Sequence, residues 1–270
     1  MSEMNIGIEI EAVLNKRLNN IRKGSYHQGV PVKGLKGWTA EHDGSLDDYR
    51  EYGEDSMCIE FVSPIFKSRQ ELFGGLRSFR EFLSNRGKYE LFQVLSFNKT
   101  CGSHVHFSIP GFSFTEKAIF EIYPKVRNQF ISRIRASNIQ AKDDIIAHYR
   151  RQYAQELTKD LWRIRYRSVE FNLSSEESKG LEWRSLNLLN VKTWQEFLEF
   201  WKIVYDCLEY LFQMSRKYEH AENVELMPES EVDRNQVETD RVIIGYKARK
   251  RKKTFSKIKI PLTVEKEVFL

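Results

Sequence analysis

Cys101-Gly102-Ser103-His104-Val105-His106-Phe107-Ser108 places two imidazoles two residues apart in an apolar, β-prone run that opens after a glycine. On a strand, residues two apart face the same way, so His104 and His106 point together while Val105 and Phe107 pack behind them. The same geometry recurs elsewhere. Glu9 and Glu11 alternate with isoleucines in Ile6-Gly7-Ile8-Glu9-Ile10-Glu11, and Glu182 and Arg184 flank a tryptophan in Gly180-Leu181-Glu182-Trp183-Arg184-Ser185. A further strand-like run, Met57-Cys58-Ile59-Glu60-Phe61-Val62, sets Glu60 between apolar neighbours. Taken singly, an alternating Glu-Ile-Glu is a solvated strand face, and Glu-Trp-Arg a cross-strand salt bridge of little worth. Their coincidence in one chain points instead to one sheet lining one polar site.

The elements between these runs define the fold class. Residues 5 to 13 read as a first strand, Asn15 to Lys36 as a glycine-bearing loop, and Trp38 to Leu46 as a strand ending in an Asp43-Gly44 turn. Ser63-Pro64 should stop the Glu60 strand. Ser68-Arg69-Gln70-Glu71, Ser113-Phe114-Thr115-Glu116 and Thr193-Trp194-Gln195-Glu196 are capping-box patterns, each ahead of apolar residues at helical spacing. The first helix carries Leu72, Phe73, Leu76, Phe79 and Leu83 on one face. The second carries Ile119, Ile122, Val126, Phe130 and Ile134 and contains Pro124, which predicts a kink or a late start. The third carries Phe197, Trp201, Tyr205, Leu208 and Phe212. Asp143 to Asp160 also reads as helical, and Arg165 to Leu173 and Leu181 to Leu186 as strands. Segregated strands and helices predict an α+β fold with a mainly antiparallel sheet rather than repeating βαβ units.

Composition sets the outer limits. A chain of 270 residues, 41% hydrophobic and 30% charged, is globular rather than disordered and long enough to bury a sizeable core. No apolar run approaches the roughly 20 residues that span a bilayer. The opening Met1-Ser2-Glu3-Met4-Asn5 lacks a basic region followed by an apolar one, so no signal peptide is expected. Three scattered cysteines make neither a disulfide framework nor a cysteine-rich zinc site, and the expected compartment is the reducing cytoplasm.

The net charge of +5 is local in origin. Residues 247–259 hold eight of the 43 Lys and Arg, and the other 35 face 38 Asp and Glu. That segment is a candidate nucleic-acid contact, or a solvated tail offsetting the acidic stretch from Glu222 to Asp240. Residues 1–220 form the expected catalytic domain and 221–270 a polar and basic extension.

The chemistry follows from residue type. Paired carboxylates on one strand are costly to hold together unless a cation neutralises them. Glu9, Glu11, Glu60 and Glu182 would form an oxygen-rich cage suited to Mg²⁺ or Mn²⁺, with histidine tolerable to both. Arg184 sets a positive fork beside the cations, where a transferred phosphoryl group would gather negative charge.

Gly7-Ile8-Glu9-Ile10-Glu11, Asp43-Gly44-Ser45-Leu46, Glu60-Phe61-Val62-Ser63-Pro64, the Gly102-Ser103-His104-Val105-His106 run, Arg165-Tyr166 leading to Asn172-Leu173, and Glu182-Trp183-Arg184 together resemble the amidoligase family. That family belongs with the glutamine synthetase and glutamate–cysteine ligase superfamily of carboxylate–amine ligases. The ordered agreement runs from about residue 5 to residue 210. The resemblance implies a curved, glutamine synthetase-like sheet with helices on its outer face, and ATP-dependent amide formation through an acyl phosphate. It implies Glu9, Glu11, Glu60, His104 and Glu182 as ligands of Mg²⁺ or Mn²⁺, with His106 against the nucleotide phosphates. Arg184 would steady the γ-phosphoryl group and Arg165 a phosphate or an acceptor carboxylate. Asp43 would add a metal, nucleotide or amine contact, and Arg184, Arg165 and Glu60 make up the expected catalytic set. The partners implied are small-molecule or peptide acids and amines. A phosphotransferase using the same ATP site, or a basic nucleic-acid-binding protein with a decayed ligase site, are the alternatives.

Overall fold

The strand built on Glu9 and Glu11 is the centre of the sheet. In a computed structural model, which describes residues 4–25, 28–42, 53–114, 116–148, 171–173 and 180–216, it runs over Asn5–Asn15 as β1. Antiparallel neighbours flank it on both sides, β4 (Ser56–Val62) and β6 (Ser103–Ser108). With β2 (Val30–Pro31), β3 (Thr39–Glu41), β7 (Phe171–Leu173) and β8 (Leu181–Leu186), the sheet order is β2-β3-β4-β1-β6-β8-β7. Short β5 (Leu95–Ser96) also pairs with β1, outside that path. Every pairing is antiparallel, which makes the architecture the expected α+β class.

The alternation decides which face is covered. Ile6, Ile8, Ile10 and Ala12 of β1 are buried with Phe61 of β4, Val105 and Phe107 of β6 and Trp183 of β8. On this side lies α1 (Arg69–Leu83), whose Leu72, Leu76, Phe79 and Leu83 point inward. Phe79 stacks on Trp38 at 4.8 Å and meets Phe61 edge-on at 5.1 Å, fastening the helix to the sheet. Farther along, α3 (Glu116–Ala136) sets Phe130 edge-on against Trp183 at 5.2 Å, and the long helix α5 (Trp194–Arg216) packs on α3. Burial of such side chains contributes about 1.5–3 kcal/mol each.

The N-cap hydroxyls of Ser68 and Thr193 work as anticipated, while the Glu71 carboxylate reaches one residue farther back than a capping box requires. The Ser68 hydroxyl accepts from the Glu71 N–H, and the Glu71 carboxylate reaches back to the N–H of Lys67. At α5 the Thr193 hydroxyl accepts from the Glu196 N–H. The buried Glu196 carboxylate gathers the N–H groups of Gln140 and Lys192, tying α5 to the turn before α4 (Lys142–His148). Thr115 of the remaining pattern lies outside the described residues.

Four details differ from the sequence reading. Helix α3 runs continuously from Glu116 past Pro124, so there is no late start. The chain breaks at Ser63-Pro64 as expected, yet Phe66 resumes pairing with β1 by exchanging two 2.8 Å hydrogen bonds with Ile6. The presumed loop from Asn15 to Lys36 contains the edge strand β2, and the short helix α2 (Leu91–Val94) leads directly into β5. Neither had a periodic signal long enough to read. The described residues lie within one compact unit, residues 1–222. Among them no helix is long and apolar enough to cross a membrane.

Candidate metal and phosphoryl-transfer centre

The face of the sheet opposite the isoleucines collects the charged dyads. Directly opposed residues in an antiparallel pair project to the same side, so register alone assembles the site. Glu9 stands opposite His104 across β1 and β6, His106 opposite Glu182 across β6 and β8, and Glu11 opposite Glu60 across β1 and β4.

Side-chain geometry completes the cluster. The Glu9 carboxylate bridges both imidazoles, with Oε2 2.9 Å from His104 Nδ1 and Oε1 2.8 Å from His106 Nε2. His104 Nδ1 is also 3.8 Å from Glu182 Oε1, while its Nε2 is 3.6 Å from Glu11 Oε1. His104 is thus shared between two groups, Glu9–His104–Glu182 and Glu11–Glu60–His104, each with ligand atoms within 4.8 Å of one another. The Arg184 guanidinium pairs with Glu182 Oε1. The Gly102 N–H donates to Glu11 Oε2, on the far side of His104.

Concentrating charge here perturbs the ionisable groups. Burial works to raise the pKa of Glu9, but its hydrogen bonds to His104 and His106 prevail and hold it far below the usual carboxylate range. Burial works to lower both histidines. The hydrogen bond to Glu9 overcomes it in each case, aided by the charge of Glu11 at His104 and of Glu182 at His106, and both rise above 6.5. The positive partners that the described residues set against these carboxylates are the two imidazoles and the Arg184 guanidinium.

Seven of the nine residues singled out from the sequence therefore lie together: Glu9, Glu11, Glu60, His104, His106, Glu182 and Arg184. Asp43 and Arg165, like the basic segment 247–259, lie outside the described residues. The structure adds two. Glu41, buried on β3, stands directly opposite Glu60, so Glu41, Glu60 and Glu11 form a row across three strands. Its signal was the alternation Trp38-Thr39-Ala40-Glu41, in which Trp38 and Ala40 are core residues. Gly102 is the other. A Cβ there would stand 3.0 Å from His104 Nε2 and 3.1 Å from Glu11 Oε2, closer than ordinary contact, so a side chain at this position would have to displace one of the two by a few tenths of an ångström.

Fold and site together define a class: an antiparallel α+β protein whose open sheet face carries a buried, mixed carboxylate and imidazole cluster beside an arginine. The chain belongs to the amidoligase family; residues 3–200 match the model of the family described as "Putative amidoligase enzyme". That span contains every residue of the cluster, and membership makes the protein a ligase by family. No curated protein matches the sequence.

Proposed function

We propose that this ligase is an ATP-dependent carboxylate–amine ligase of the glutamine synthetase-like kind, using Mg²⁺ or Mn²⁺ in the cytoplasm. The observation that carries the reading is His104 shared between two carboxylate groups with Arg184 alongside. The donor set fits hard divalent cations, being oxygen-rich with one imidazole, and no thiol belongs to either group. Glu9, His104 and Glu182 would hold one ion, and Glu11, Glu60 and His104 would bear on a second, with Glu41 behind Glu60. Bound cations would neutralise the nucleotide phosphates and polarise the transferred group.

The chain's own residues supply position and charge. Glu9 fixes both imidazole planes through its two oxygens, so each ring keeps one orientation. His106, more exposed than His104, offers its ring to the phosphates from the mouth of the site. Arg184 would stabilise the equatorial oxygens as the substrate carboxylate attacks the γ-phosphorus and the bond to the β-phosphate oxygen breaks. ADP leaves with that electron pair. The amine then adds to the acyl carbon, the bond from that carbon to the phosphate oxygen breaks, and the ammonium proton is lost as the amide forms.

Calorimetry of ATP binding to the wild type and Glu182→Ala, with and without Mg²⁺, tests this. Binding that requires both the ion and Glu182 is expected. Folded wild-type protein that binds no ATP with Mg²⁺ present would overturn the reading. ADP release that needs an acid but no amine would favour a phosphotransferase.

A further inference from the structure

Glu11 is held at both ends by one residue. Its backbone N–H donates to the Gly102 carbonyl at 3.1 Å, and its side-chain Oε2 accepts from the Gly102 N–H. While Oε2 takes the backbone bond, Oε1 lies 3.6 Å from His104 Nε2. The direction of the Cys101–Gly102 peptide therefore bears on how Glu11 meets the Glu11–Glu60–His104 group.

Asn98 sets that peptide. Phe97 is buried, its ring near-parallel to that of Phe197 with centroids 6.4 Å apart, and the chain then turns tightly into β6. Asn98, only 9% exposed, accepts three hydrogen bonds on Oδ1: from the Thr100 N–H at 2.8 Å, the Thr100 hydroxyl at 2.7 Å and the Cys101 thiol at 3.4 Å. Its main-chain carbonyl accepts another, from the Cys101 N–H at 3.2 Å. An asparagine that bonds its own turn in this way fixes the backbone two and three residues on. Cys101 is thus gripped through main chain and side chain, one residue before the N–H that holds Glu11. The amide nitrogen takes no part, because Nδ2 is buried without a partner. A buried donor left unpaired lowers stability, so stability alone does not account for asparagine here.

We infer that Asn98 is the positioning residue of the Glu11–Glu60–His104 group: through its turn it directs the Gly102 N–H at Glu11 Oε2 and so fixes the carboxylate that faces His104. It acts through Gly102 and Glu11 and is not itself a ligand. A ligand held in advance by such a support loses less freedom when the cation arrives. This rests on the cation reading above and adds to it the residue that pre-sets one of the ligands.

Two measurements separate the turn from the cation. Exchange of the Gly102 amide hydrogen, followed by NMR on the metal-free 270-residue chain, reads the hydrogen bond to Glu11 directly. The Ile8 N–H, which donates to Ser63 Oγ, is the reference. Mn²⁺ alone is the metal probe, its binding followed by the paramagnetic resonance of the free ion. In Asn98→Ala the Gly102 hydrogen should exchange at least about tenfold faster while Ile8 is unchanged. Mn²⁺ affinity should fall by roughly 10- to 100-fold, as when an orienting partner is lost. Asn98→Ser, whose hydroxyl caps such a turn more weakly, should fall between wild type and alanine in both respects. It carries the test if the alanine variant does not fold, with exchange at Gly102 at least about threefold faster than in the wild type. A wild-type exchange rate at Gly102 in either folded variant overturns the inference. Equal acceleration at Gly102 and Ile8 does so too, because Asn98 would then serve general stability. Faster exchange at Gly102 with Mn²⁺ affinity intact overturns the link to the cation and leaves the cation reading standing. Failure of the wild type to bind Mn²⁺ would overturn the cation reading and the positioning role together.

Discussion

Glu9 and His104 face each other across β1 and β6 with Oε2 and Nδ1 2.9 Å apart, although 95 residues separate them in the chain. The same carboxylate holds His106 through its other oxygen. Glu9 is therefore both a candidate ligand and the group that orients two others. Glu9→Gln keeps the shape but cannot carry the charge, and Mn²⁺ affinity should fall at least about tenfold, the lower end of what losing an orienting partner costs. Titration of Mn²⁺ against wild type and variant checks this, with circular dichroism to confirm the fold.

Gly102→Ala should separate site from fold. The backbone at Gly102 is not left-handed, so alanine adds no conformational strain, but its methyl would press on His104 Nε2 and Glu11 Oε2. Thermal unfolding should change little. Cation-dependent ATP binding should be severely weakened, because the two groups that share His104 would be pushed apart.

Glu41→Gln tests the end of the acidic row. Glu41 is buried opposite Glu60, so losing its charge should weaken cation binding by roughly 10- to 100-fold, as outer-shell substitutions do. An unchanged affinity would make Glu41 a structural residue of β3.

The pH dependence of stability should show Glu196. Burial works to raise its pKa, but the N–H groups of Gln140, Lys192 and Thr193 and the Thr193 hydroxyl overcome this and hold it below 4.5. A lowered carboxylate stabilises the fold above its unfolded value and loses that contribution as pH falls through the folded value. Urea midpoints of the wild type should thus drop faster below about pH 4.5 than those of Glu196→Gln. At neutral pH Glu196→Ala should cost about 1–3 kcal/mol, since buried N–H donors lose their acceptor.

Phe79→Ala should cost about 3–5 kcal/mol in chemical denaturation, because the ring is fully buried between Trp38 and Phe61. Cation affinity in the folded fraction should persist, since Phe79 acts on the opposite face from the cluster.

Much of this was written locally. The period of two in Ile6–Glu11, His104–Phe107 and Glu182–Ser185 sorts charged from apolar residues before any strand has a partner. The period of 3.6 does the same for α1, α3 and α5. Pro124 does not delay the start of α3, because burial of Ile119, Ile122, Val126 and Phe130 outweighs the local cost of an imino acid inside the helix. The two-residue strands and α2 left no readable period, because their geometry is imposed by neighbours.

The sequence by itself determined which charged residues and which apolar residues share a face of each element. Only tertiary structure decided how the faces meet. Register across β3, β4 and β1 aligned Glu41, Glu60 and Glu11, and the bulge on β8 set Arg184 beside His104. The physical reason is range. Periodicity is a property of a few neighbouring residues, whereas register depends on bringing together strands tens of residues apart. A slip of one residue would have turned every one of these side chains into the core.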